Sequence, residues 1–154
     1  MAGPHQRETS ALIVRVLLYA NVVLDCLVME ASGLPRAGKA ASDRVLDLCD
    51  TDAHRGLIAW HTLPIVAYYH GRQNSAQDTS AMMDSLIATL EVPSVTHGDA
   101  ANWRSHGLVD FEDALQFACA VAGEADVIVT RNTVDFSGST IPVMTPEAFL
   151  AAHP

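Results

Sequence analysis

Carboxylate, amide and hydroxyl side chains follow three apolar runs of this 154-residue sequence. They are Asn21 after LIVRVLLY, then Asp110, Glu112 and Asp113 in DFEDALQ, and then Thr130, Asn132 and Asp135 in TRNTVDF. Carboxylates that converge without lysine or arginine partners repel one another unless a hard cation joins them. Mg²⁺ and Mn²⁺ prefer such oxygen ligands, and a cation of this kind can activate water for attack on a phosphodiester. The residue types therefore favour a divalent metal site, provided that the fold brings the three segments together.

Each cluster also has an interpretation that requires no chemistry. Asp110 can cap the following helix by accepting a hydrogen bond from the amide of residue 113, and Asn132 and Asp135 can satisfy the backbone of a turn. Taken singly, these interpretations are the more ordinary ones. Taken together, they leave unexplained why both clusters follow predicted strands at the same edge of a sheet.

Short β-branched runs alternate with helical patterns along the chain. Strands are predicted over residues 12–19, 56–61, 92–97, 125–130 and 141–145, and helices over 21–30, 36–50, 62–73 with Thr62 as its N-cap, 75–90 and 110–122, with a turn or two within 99–106 and a closing helix from Pro146. This order predicts an α/β fold, a three-layer α/β/α sandwich with a mostly parallel sheet of about five strands. Ligands of such sheets bind at the carboxyl ends of the strands, which is where the polar clusters fall.

Composition narrows the function classes. The net charge is −9, from 18 acidic and 9 basic residues, whereas a protein that binds nucleic acid by neutralising phosphates is normally basic. No Gly-rich phosphate loop follows the first strand, and no GxSxG elbow occurs. The three cysteines lack a CxxC spacing and no run of 18 apolar residues occurs, so we predict a cytoplasmic protein without a membrane segment. We expect one domain over residues 11–152, preceded by a flexible segment at residues 1–10.

The order of these motifs resembles the PIN-domain family, and most closely its branch of VapC-like toxin ribonucleases. The resemblance runs from about residue 13 to residue 150 and rests on ANVVLD, DFEDALQ, ADVIVTRNTVDF and PVMTPEAFL. It implies a PIN-like fold, an endoribonuclease that depends on Mg²⁺ or Mn²⁺, an RNA substrate, an inhibitory antitoxin partner and a homodimer. Carried over residue by residue, it implies catalytic roles for Asp113, Asp135 and Asn21, substrate positioning by Thr130 and Asn132, and metal binding by Asp113, Asp135 and Asp110.

Two positions depart from the family pattern. Tyr19 stands where the family has its first acid, and Ile65 stands where a second acid or amide is expected. A phenol, with an ordinary pKa of about 10, is a poor ligand for Mg²⁺ at neutral pH. Two hypotheses follow: a toxin-type ribonuclease with an impaired site, or a catalytically inactive PIN module that binds a protein or RNA. An unrelated doubly wound small-molecule binder is a third possibility, which a different sheet order would indicate.

Overall fold

The structure is a computed structural model that describes residues 12–154, so the predicted flexible segment at residues 1–10 lies outside the described residues. Its elements in chain order are β1 (Arg15–Leu18), α1 (Ala20–Leu27), α2 (Lys39–Asp50), β2 (Arg55–Leu57), α3 (Thr62–Gly71), α4 (Ala76–Thr89), α5 (His97–Ala101), a 3₁₀ helix (Trp103–His106), α6 (Phe111–Ala122), β3 (Val127–Val129), a second 3₁₀ helix (Thr133–Phe136), β4 (Val143–Met144) and α7 (Pro146–Ala152). Within this range, no helix combines the length and the hydropathy needed to cross a bilayer.

The strands form one parallel sheet in the order β2-β1-β3-β4. The central strand β1 pairs with β2 on one side, where Val16 lies opposite Gly56, and with β3 on the other, where Val16 lies opposite Val127. Parallel neighbours require crossover connections, which the helices supply. The predicted α/β sandwich with a parallel sheet is therefore confirmed, and the carboxyl ends of the strands share one edge.

Alternating side chains of the central strands separate two apolar layers. Val16 and Leu18 point to one face of the sheet, where they join residues of α1, α2, α3, α4 and α7 in one core cluster. Leu17 and Ile128 point to the other face, where they pack with Ala114 and other residues of α6. Because successive side chains of a strand face opposite sides, a sheet covered on both faces needs apolar residues at every position. This explains the unbroken run VLL in β1.

The predicted strand over 92–97 is wrong, and the sheet has four strands instead of about five. Only Glu91 reaches the sheet, through a single bridge to Leu57. Pro93 has no amide hydrogen to extend the pairing, and the Thr96 side chain instead caps α5 through the amide of Asp99. The segment therefore leaves the sheet after one residue.

Two helix boundaries also differ from the predictions. Helix α1 ends at Leu27 because residues 30–34 form a turn, in which Glu30 exchanges hydrogen bonds with Gly33 and Leu34. Gly33 adopts a φ of 81° there, a conformation that glycine accepts without a steric penalty. Thr62 is the first residue of α3 and not its N-cap, because its buried hydroxyl accepts a hydrogen bond from Gln116.

Candidate active site

A groove of about 490 Å³ lies at the carboxyl edge of the sheet. Its lining residues come from the start of α6 and from the second 3₁₀ helix, and they are Val109, Asp110, Asp113, Val134, Asp135 and Ser137. The three predicted metal ligands Asp110, Asp113 and Asp135 therefore share one groove, although they come from two separate segments. Among the residues that the structure describes, none of the side chains that line this groove is basic.

The start of α6 concentrates negative charge on one side of the groove. Asp110 caps the helix by accepting a hydrogen bond of 3.0 Å from the amide of Asp113, as predicted. Oxygen atoms of Asp110, Glu112 and Asp113 all lie within 4.8 Å of one another. Burial raises the pKa of Asp113, and the charges of Asp110, Asp135 and Glu112 raise it further, whereas a hydrogen bond from Tyr19 lowers it. The negative charge of these carboxylates is thus not balanced by positive groups next to them in the described part of the chain.

Tyr19 lies directly against this cluster. Its hydroxyl is 2.8 Å from Asp113 Oδ1 and 3.0 Å from Glu112 Oε2, and its ring packs edge-on against Phe136. Burial raises the pKa of Tyr19 above its ordinary value, and its hydrogen bond to Asp113 and the charge of Glu112 raise it further. The hydroxyl therefore keeps its single hydrogen and shares it between two carboxylates.

Asn21 holds the backbone that follows β3. Its Nδ2 donates to Thr130 Oγ1 at 3.1 Å, and its Oδ1 accepts from the amide of Arg131 at 3.2 Å. Thr130 is fully buried, and its hydroxyl also accepts from the amide of Asn132 at 3.2 Å. Both ends of the Asn21 amide, and the Thr130 hydroxyl, are thus used to fix the turn that leads to the groove.

Asn132 extends this arrangement to the predicted carboxylate ligand. Its side-chain amide donates to Asp135 Oδ2, and both side chains are exposed. The amide therefore restricts the orientation of Asp135 without neutralising its charge. All four predicted site residues outside the start of α6 are joined in one chain of hydrogen bonds: Asn21, Thr130, Asn132 and Asp135.

Asp25 lies one turn after Asn21 on α1 but does not reach the groove. Its fully buried carboxylate accepts hydrogen bonds from Arg131 at 2.9 and 3.0 Å, from Arg36 at 2.8 Å and from Ser42 at 3.2 Å. Buried carboxylates require such partners because an unpaired charge in a low-dielectric interior is costly. Asn21 bonds Thr130 and the Arg131 amide, and this ion pair holds the side chain of Arg131. Both residues of α1 therefore fix the same turn after β3.

One contact near the cluster was not predicted from the sequence. His61 Nε2 lies 3.9 Å from Glu112 Oε1, and its ring lines an apolar cavity of about 160 Å³ together with Trp60 and Cys119. The DFED segment itself points to Glu112, whereas no local pattern marks His61. Ile65 is half-buried in α3, and its hydrocarbon side chain offers no ligand for a cation.

The donor set of the groove fits a hard divalent cation. It consists of carboxylate oxygens, which Mg²⁺ and Mn²⁺ prefer, and their mutual repulsion is the force that a cation would relieve. The fit is incomplete in one respect, because the Tyr19 hydroxyl already donates to an oxygen of Asp113. Asp110, Asp113 and Asp135 remain the residues with carboxylates in the groove.

Comparisons with known proteins point to one family. A family model described as "PIN domain" matches residues 15–134, so the match ends one residue before Asp135. No curated protein matches the chain.

Solved structures share the fold at low sequence identity. VapBC2 from Rickettsia felis, bound to a DNA fragment from its promoter, has a TM-score of 0.61 at 15% identity, covering 85% of this chain and 98% of that chain. VapBC-1 from nontypeable Haemophilus influenzae has a TM-score of 0.61 at 14% identity, with 86% and 98% covered. FitAcB from Neisseria gonorrhoeae has a TM-score of 0.56 at 17% identity, again with 86% and 98% covered. At these identities the likeness shows the fold alone.

Proposed function

The chain belongs to the PIN-domain family, and we propose that it is a metal-dependent endoribonuclease of the VapC-like toxin type. The observation that carries this proposal is the convergence of Asp110, Asp113 and Asp135 in one groove at the carboxyl edge of the parallel sheet. Ligands of open α/β sheets bind at this edge. The structural neighbours are VapBC and FitAcB assemblies, which supports an antitoxin as a further proposed partner. An RNA substrate, a homodimer and a cytoplasmic location belong to the same proposal.

Asp110, Asp113 and Asp135 would hold Mg²⁺ or Mn²⁺ in this groove. When bound, the cation supplies an activated water and neutralises charge on the scissile phosphate. Asn132 orients the Asp135 carboxylate, and Thr130 and Asn21 hold the turn that presents it. Asn21, predicted to be catalytic, and Thr130, predicted to position substrate, act in this proposal through the turn and do not touch the substrate.

Tyr19 and Ile65 lower the expected activity. Both occupy positions at which the family pattern has an acid or amide, so the cation has fewer charged ligands and binds more weakly. This favours a second candidate function, a catalytically inactive PIN module that binds a protein or RNA, with its acidic groove docking a basic segment of a partner protein. The contact that favours it is the Tyr19 hydroxyl, which already satisfies Asp113 without a cation.

An RNA cleavage assay with Mg²⁺ or Mn²⁺ separates the two candidates. The proteins to compare are the native chain, Asp113→Ala, Tyr19→Asp and, as a matched control, Asp84→Ala, which removes an exposed carboxylate on α4. We expect weak Mn²⁺-dependent cutting by the native chain, a loss of about 100-fold or more in Asp113→Ala, and a gain of about tenfold in Tyr19→Asp. Asp84→Ala should cut as the native chain does.

Each other result has a definite meaning. Cutting by Tyr19→Asp alone would assign the native chain to the inactive module. Cutting that survives both EDTA and Asp113→Ala would contradict the metal-dependent mechanism. A folded Tyr19→Asp variant that neither binds Mn²⁺ nor cuts RNA would contradict a metal site in this groove.

A further inference from the structure

The Tyr19 hydroxyl lies at the point where two carboxylates of α6 approach each other. It is 2.8 Å from Asp113 Oδ1 and 3.0 Å from Glu112 Oε2. We propose that this hydroxyl competes with a divalent cation for Asp113, so that the groove is stable without metal and binds metal weakly. The inference rests on the proposed metal site, and it adds Tyr19 as a residue that sets the metal affinity of that site.

The position of the hydroxyl is fixed by the sheet and not by the groove. The Tyr19 amide donates to the carbonyl of Val129 at 3.0 Å, and its carbonyl accepts from the amides of Val22 and Val23 at the start of α1. Its ring packs edge-on against the buried ring of Phe136, with the centroids 5.7 Å apart. Since both backbone and ring are held, the donor stays in place when the carboxylates change partners.

The Asp113 carboxylate, in contrast, has few alternatives. Asp113 is 6% exposed, and within residues 12–154 the side chains that line the groove beside it include no lysine or arginine. A hydrogen bond to a charged group contributes about 1.5 to 3 kcal/mol. The hydroxyl therefore supplies part of the stabilisation that a cation would otherwise supply, and a cation must displace or weaken this contact in order to bind the same oxygens.

The change Tyr19→Phe tests the competition because it removes only the hydroxyl. Tyr68→Phe is the matched control, since the exposed Tyr68 hydroxyl only accepts a hydrogen bond from Arg72 on the surface of α3. In EDTA, we expect Tyr19→Phe to lower the melting temperature by roughly 3 to 8 °C. In a calorimetric titration with Mn²⁺, we expect it to bind about tenfold more tightly than the native chain. Tyr68→Phe should match the native chain in both measurements.

A third variant, Tyr19→Asp, distinguishes failure of the competition from failure of the proposed function. If Tyr19→Asp binds Mn²⁺ tightly while Tyr19→Phe binds it no more tightly than the native chain, the metal site stands and the competition is overturned. Weaker binding by Tyr19→Phe would overturn it as well, because the hydroxyl would then support the metal. If no folded variant binds Mn²⁺, including Tyr19→Asp, both the metal-dependent function and the competition are contradicted.

Discussion

His61 connects two neighbouring features of the molecule. Its ring lines the apolar cavity beside Trp60. Its Nε2 atom is buried, lies 3.9 Å from Glu112 Oε1 and has no hydrogen-bond partner among residues 12–154. Burial lowers the pKa of His61, and the charge of Glu112 raises it by a smaller amount. At neutral pH the imidazole is thus uncharged, and the acidic cluster gains no cation from it.

This lowered pKa predicts a dependence of stability on pH. The unfolded chain takes up a proton on His61 near the ordinary value of 6.5, whereas the folded chain resists it. The contribution of neutral His61 to the free energy of unfolding is therefore fully present above pH 6.5. It is lost as the pH falls below 6.5 toward the lowered pKa of the folded chain. In urea unfolding with EDTA between pH 7.5 and 5, His61→Gln should lose less stability than the native chain. Equal losses would contradict the prediction.

At the scale of residues, the sequence indicates which side chains reach the groove but not what each one does. Strand ends correctly predict the place of Asp135 after β3, whereas Asp110 and Asp113 reach the groove through the packing of α6 on the sheet and not through the predicted strand over 92–97. The role of Asn21 depends on Thr130 and Arg131, which lie 109 and 110 positions away in sequence. Such partners are set by the packing of distant elements, so the local sequence does not reveal them.

At the scale of elements, α1 (Ala20–Leu27) acts as a clamp on the turn after β3. Asn21 bonds Thr130 and the Arg131 amide, and Asp25, one helical turn later, bonds the Arg131 guanidinium. Residues four apart lie on the same face of a helix. The conformation of the turn that presents Asp135 therefore depends on how α1 is seated.

A substitution at Gly38, just before α2, tests whether the ion pair between Asp25 and Arg131 holds this turn. A Cβ atom at this position would overlap the Asp25 carboxylate and lie 2.9 Å from an Arg131 guanidinium nitrogen, while the backbone φ of −85° suits any residue. We expect Gly38→Ala to lower the free energy of unfolding by about 1 to 3 kcal/mol through this overlap, as measured by urea denaturation.

Gly71→Ala at the end of α3 is the matched control, because a Cβ there would meet Thr79 only at an ordinary distance of 3.7 Å. It should leave the stability close to that of the native chain. A Gly38→Ala protein as stable as the native chain would show that the ion pair tolerates displacement, and that α1 does not hold the turn through Asp25.

Helices are predicted well from the sequence, and strands less well. The apolar periodicity and the Asp110 cap place α6 within a residue of its observed start. The segment 92–97 has valines and a threonine typical of a strand, yet the only residue there that pairs with the sheet, among those the structure describes, is the preceding Glu91. The difference arises because helical hydrogen bonds are local, whereas a strand exists only if a neighbour is available to pair with it.

At the scale of the whole molecule, the net charge of −9 opposes contact with RNA. Counterion release, which drives most binding to nucleic acid, requires basic side chains, and Arg36 and Arg131 are already paired with Asp25. Affinity for RNA then depends on a local basic patch, a bound divalent cation or a partner, and we expect the cation to dominate.

Fluorescence anisotropy with a labelled single-stranded RNA measures this dependence. In EDTA we expect no saturable binding below about 100 µM, and no further loss as NaCl is raised. Adding Mn²⁺ should strengthen binding in the native chain and less so in Asp113→Ala. Tight binding in EDTA that falls steeply with salt would instead indicate a basic surface patch, and would contradict a role for the cation.

The placement of β1 at the centre of the sheet has a consequence for biosynthesis. Val16 must pair with Val127, and Tyr19 must meet Asp113, across more than ninety intervening positions. A nascent chain that has emerged only as far as α4 holds none of the three carboxylates of the groove. The groove therefore cannot bind a cation or a substrate while only the first half of the polypeptide has left the ribosome.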